Sequence, residues 1–85
     1  MKYTPPTPEN LRAIRDDLGL TQSSMADFVN VAGGQQWRKY TGGQSPRHMS
    51  FHMLFFLAAR LSMNDSNLNK VYKKMIDLGA TIERD

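Results

Sequence analysis

Gln35, Gln36, Arg38 and Lys39 stand together in one short run. A glutamine amide donates and accepts at once, in the two-bond geometry that matches adenine N6 and N7. Arginine matches guanine O6 and N7, and lysine suits guanine or a phosphate. These four side chains are therefore candidates for reading base edges. For each, the alternative is a solvated surface position on a helix.

The elements around them fit that chemistry. Thr21 is a helix-start residue, and Met25, Phe28 and Val29 form an apolar stripe behind it, with Ala26 allowing close approach. Asn30 tolerates the left-handed conformation that ends a helix. A third helix is expected from Gly33 or Gly34 to Thr41, stopped by Gly42-Gly43. Its only large apolar-bodied residues, Trp37 and Tyr40, are three apart and so share one face, which is the core face. Two short helices joined by a tight turn, the second edged with hydrogen-bonding side chains, is an arrangement suited to a DNA major groove.

The remaining elements follow from caps and periodicity. Met1–Pro6 carries two prolines and no period, so it is expected as an extended arm. Thr7, Pro8 and Glu9 start a helix over about 8–18, with Leu11, Ile14 and Leu18 inward and Gly19 at its end. Ser50 caps a fourth helix, 51–61, apolar on almost every side. Asp65 or Ser66 caps a fifth, striped by Leu68, Val71, Tyr72, Met75 and Leu78 and closed by Gly79. The expected division is arm 1–6, domain 7–79 and a short tail 80–85.

Eighty-five residues allow one small core, burying roughly 60% of the unfolded surface. Stability at this size is marginal, and a second copy would add to it. There is no cysteine, which excludes disulfides and cysteine zinc sites and suits a reducing cytoplasm. No apolar run approaches the ~20 residues of a membrane span, so no membrane association is expected. Net charge is only +3. Its distribution is more telling: no carboxylate lies between Asp27 and Asp65, while Arg38, Lys39, Arg47 and Arg60 do. Such a face is suited to phosphates.

Catalysis finds no support. The glycine pairs lack the Lys-Ser/Thr of a phosphate loop, and no nucleophile constellation is present. Asp16 and Asp17 are adjacent and point apart. His48 and His52 are four apart without a third ligand, so no metal is expected, and no cofactor.

The order Leu18-Gly19-Leu20-Thr21-Gln22, Met25-Ala26, Val29-Asn30-Val31, then Trp37, Arg38, Tyr40 and Gly43, with Leu57-Ala58 and Leu61, resembles the lambda-repressor-like, or XRE, helix-turn-helix regulators. The resemblance covers about residues 9–63 and extends to small phage and prophage regulators with a tryptophan in the third helix. It implies an all-α, five-helix DNA-binding domain with its helix-turn-helix at about residues 21–42. Three departures stand out, the first a loop, Gln44–Met49, two or three residues longer than usual. The turn, Asn30-Val31-Ala32-Gly33-Gly34, is one residue longer than the usual pattern, and Thr41 stands where a glutamate is common. The longer turn leaves the start of the third helix uncertain by one residue.

On this reading Gln35, Gln36, Arg38 and Lys39 contact bases, and Thr21, Gln22, Thr41, Arg47 and Ser50 contact phosphates. The function implied is sequence-specific double-stranded DNA binding by a transcriptional repressor acting as a homodimer on an operator. Phe56, Val71, Tyr72, Met75 and Ile82 are the expected dimer contacts, because the fourth and fifth helices carry more apolar surface than one small core covers. The competing reading is an interaction module of similar fold that binds another protein through exposed Met49, Met53 and Phe56.

Overall fold

Four of the five helices start at a side chain that accepts a hydrogen bond from an otherwise unpaired backbone N–H. Thr7 caps α1 (Pro8–Leu18), with Asn10 completing a reciprocal box back to the Thr7 N–H. Thr21 caps α2 (Gln22–Phe28), Ser50 caps α4 (Phe51–Ser62) and Asn64 caps α5 (Asp65–Asp77). The cap of α5 is thus one residue before the expected Asp65. In α1 a hydrogen bond from its own backbone N–H, followed by the Arg12 guanidinium beside it, holds the Glu9 carboxyl below its ordinary range. Gly19 takes the left-handed conformation, φ 66°, and its N–H closes α1 on the Arg15 and Asp16 carbonyls.

The exception is α3 (Gly34–Thr41), whose preceding residue, Gly33, has no side chain to offer. This helix is held from the side instead. The computed structural model describes residues 1–83, and among them the chain is all-helical, with five helices and no strand. The last two residues of the expected tail, Arg84 and Asp85, lie outside the described residues. No described helix is long and apolar enough to cross a membrane.

The core collects one or more side chains from each of the first four helices and from the loop before α4. Leu11, Met25, Ala26, Val29, Trp37, Met49 and Leu57 are its buried members. Around them pack Ile14, Leu20, Phe28, Val31, Tyr40, Met53 and Leu54. Helix α3 lies chiefly against α2 and secondarily against α1. Trp37 is wholly inaccessible, as its spacing with Tyr40 predicts.

Several inward expectations are overturned. Leu18, the last residue of α1, is 37% exposed. The fourth helix is not surrounded: only Leu57 is buried, while Phe51, Phe55 and Leu61 face outward. In α5 only Leu68 is buried; Ile76 and Leu78 are exposed, as are Val71 and Met75, two of this stripe expected at a dimer contact. Met49, expected at the surface, is buried in the core. The N-terminal arm explains this last change. Tyr3 donates its hydroxyl to the Met49 carbonyl at 2.7 Å and sets its ring edge-on to Phe51 at 5.5 Å. The arm therefore lies over the start of α4.

Replacing Trp37 by alanine removes the largest buried side chain and should cost about 3–5 kcal/mol. Thermal melting should show loss of the cooperative transition. An unchanged melting temperature would place Trp37 at the surface and the phase of α3 in error.

Candidate nucleic-acid interface

The turn between α2 and α3 is built from conformations that few residues adopt. Asn30 has φ 61° and Gly33 φ 83°. The Val31 N–H closes the end of α2 on the Ala26 carbonyl at 2.9 Å. The chain then turns directly into α3, whose first residue, Gly34, meets the start of α2. A Cβ at Gly34 would lie 3.2 Å from the Ser23 nitrogen and 3.3 Å from the Gln22 carbonyl carbon and Cβ. The glycine pair thus serves two purposes. Gly33 supplies the left-handed backbone, and Gly34 lets the two helix starts touch.

This settles where the helix begins and which side chains it presents. Counting from Trp37, the exposed edge of α3 carries Gln35, Arg38 and Lys39, spaced i, i+3, i+4 and so adjacent on the surface. Gln36 is three residues before Lys39 and so borders the same edge. It is half-buried on the flank, one turn from half-buried Tyr40. The four expected base-reading residues therefore lie together, three of them exposed and Gln36 half-buried.

The expected phosphate residues divide as well. Arg47 is exposed, and its backbone N–H donates to the Lys39 carbonyl at 2.6 Å. That bond folds the loop 44–49 back onto the end of α3 and sets Arg47 beside the Arg38–Lys39 end. Ser50 and Thr21 are exposed helix caps whose hydroxyls accept from the Met53 and Ser24 N–H groups. Gln22 is half-buried against Gly34. Thr41 is corrected: it is only 6% exposed, and the Arg12 guanidinium donates to its carbonyl. It ends α3 on the inner face and has no surface to offer a phosphate.

Arg60 is corrected too. It leaves the cationic surface, donating to the Phe28 carbonyl at 2.8 Å with its guanidinium 4.1 Å from the Phe28 ring centroid. It thereby ties α4 to the last turn of α2, where a cation also complements the helix dipole. The exposed cations of the carboxylate-free stretch reduce to Arg38, Lys39 and Arg47. His48 and His52 are exposed, and no group of three metal-ligating side chains occurs among the described residues.

Tyr3, Arg12 and Arg60 were not legible as positioning residues. Their partners lie 46, 29 and 32 residues away along the chain, and nothing local marks the pairing. The close approach at Gly34 had a faint signal in the doubled glycine.

Comparison with family models, with curated proteins and with solved structures found no match to this chain.

Gly34→Ala opposes two effects. Alanine favours a helix by up to about 1 kcal/mol, whereas forcing a methyl against backbone costs about 1–3 kcal/mol. The neighbouring atoms belong to the backbone and Cβ at the rigid start of α2, so the clash wins. The variant should melt below the wild type by the equivalent of about 1 kcal/mol. A more stable variant would contradict the tight contact between the two helix starts.

Proposed function

We propose that this chain is a sequence-specific double-stranded DNA-binding regulator of the lambda-repressor-like helix-turn-helix kind, acting as a repressor. In this reading α2 and α3 form the helix-turn-helix, and α3 enters the major groove. The observation that carries it is the division of α3 into two faces. Trp37 fastens one face to the core with no exposure. The opposite edge offers Gln35, Arg38 and Lys39, with Arg47 folded in beside them and no carboxylate in the sequence from 28 to 64.

Each part has a role in such a complex. Gln35 and Arg38 suit adenine and guanine edges, and Lys39 and Arg47 suit guanine or the backbone. The N-termini of α2 and α4, capped by Thr21 and Ser50, can direct backbone N–H groups at phosphates. One such module covers only a few base pairs, so a homodimer on a two-fold-related operator roughly doubles the readout.

The competing reading, binding of another protein in place of DNA, loses Met49 from its surface, because that residue is buried. Met53 and Phe56 remain half-buried.

Selection of duplexes from a random pool should yield a defined site. On that site Arg38→Ala should weaken binding by roughly 1–3 kcal/mol and relax preference at one base position. A folded variant with unchanged affinity and footprint would remove Arg38 from the interface.

A further inference from the structure

Helices α4 and α5, the turn after α2 and the tail enclose an open groove of about 960 Å³. That size falls within the roughly 300–1,000 Å³ of small-molecule sites. Its lining is apolar and compliant at Met53, Leu68, Met75 and Ile82. Phe56 and Tyr72 add two rings, with centroids 6.5 Å apart and planes at 52°. Rings at that angle form a corner, not a closed stack.

The charges around this lining are unbalanced. Asp27, Asp65 and Glu83 are exposed carboxylates that reach it from the end of α2, the start of α5 and the tail. Among the described residues none of the three is in an ion pair. Arg60 is the one guanidinium in the lining, and it is committed to the Phe28 carbonyl at 2.8 Å and to the Phe28 ring at 4.1 Å. It also stands 5.9 Å from the Phe56 ring centroid, so that ring already attracts a cation from one side. His52 and Tyr72 are the other titratable groups there.

We propose that this groove binds a lipophilic organic cation: a small molecule with a quaternary or delocalised positive charge and apolar arms. The arms lie on the methionine and leucine surface, whose thioether side chains adapt to shape. The charge lies against the Phe56 and Tyr72 rings, whose faces attract cations, and among three carboxylates that lack a partner of their own. An apolar anion would meet those carboxylates unshielded, and a strongly hydrated cation would leave the apolar lining wet. The groove also includes Asn30 and Val31, so its occupant touches the turn that aims α3. The proposal goes beyond the DNA reading and does not rest on it.

Tetraphenylphosphonium and tetraphenylborate share a shape and differ in the sign of their charge, so the pair tests this on the full chain. Methionine methyl signals in NMR locate the bound ion. Tetraphenylphosphonium should shift Met53 and Met75 saturably, as one site with Kd below about 1 mM. Met25 and Met49, buried in the core, should change little. Tetraphenylborate should bind at least about tenfold more weakly. Asp65→Asn combined with Glu83→Gln should weaken the cation at least about tenfold with the melting temperature kept. Asp65 lies in the first turn of α5, so Asp27→Asn with Glu83→Gln serves should the first pair fold poorly. Met53 and Met75 signals that ignore the cation, equal binding of the two ions, or an affinity indifferent to the carboxylates would overturn the proposal. Groove signals that move with protein concentration alone would put a second copy there, and a response only to a basic amphipathic peptide would make the groove a helix-docking surface. Either result would overturn the small-molecule assignment, and none of these outcomes bears on duplex binding.

Discussion

Helix α3 is eight residues long, well below the ~12–15 at which an isolated helix becomes even marginally stable in water. It lacks a side-chain cap, and its sequence opens with glycine. Everything it presents outward therefore depends on how it is held, and the holding is done by Trp37. That side chain is fully buried, and its indole N–H finds no acceptor among the described residues. Its contribution is apolar area and packing, not a polar anchor. An unpartnered buried donor costs about 1–3 kcal/mol, which the indole offsets by the size of the surface it removes from water. Thr41 and Arg12 fix the far end of the helix, and Gly34 fixes the near end against α2. With both ends and one face committed, Gln35, Arg38 and Lys39 are displayed on a rigid edge, as precise hydrogen bonding to a ligand requires.

Much of this was legible in the sequence because it is local. Thr7, Thr21 and Ser50 cap the first, second and fourth helices because a hydroxyl reaches an N–H three residues on. Gly19 and Asn30 end helices because they tolerate positive φ. The fifth cap was displaced to Asn64 because Asn64, Asp65 and Ser66 are all cap formers, and local chemistry does not choose among neighbours. What sequence did not reveal was tertiary. Arg60 read as part of the cationic face, yet it crosses to a carbonyl on another element. Tyr3 read only as part of an extended arm, and Met49 as exposed, whereas Tyr3 bonds the Met49 carbonyl and Met49 is buried. Of the candidate site, the outward edge of α3 was readable from its period. The half-burial of Gln36 and the burial of Thr41 were not, because they depend on the depth at which α3 sits.

The apolar surplus of the fourth and fifth helices has a similar history. Their sequences suggested more apolar surface than the core can use, and the fold leaves it exposed on α5 and on the outer side of α4, where Phe51 and Phe55 stack at 6.1 Å. The molecule thus has two differently finished sides. One is polar and cationic around α3. The other is apolar with an acidic rim around α5. A protein of this size gains stability from covering the second side, and the first must remain open to work.

The central claim is that the α3 side binds DNA through hydrogen bonds and phosphate contacts. Affinity for a duplex measured across a range of salt concentrations tests it most directly. The account predicts binding whose logarithm falls linearly with the logarithm of salt, with a slope near −0.9 for each phosphate neutralised and several phosphates engaged. No binding at low salt, or an affinity that does not change with salt, would contradict it.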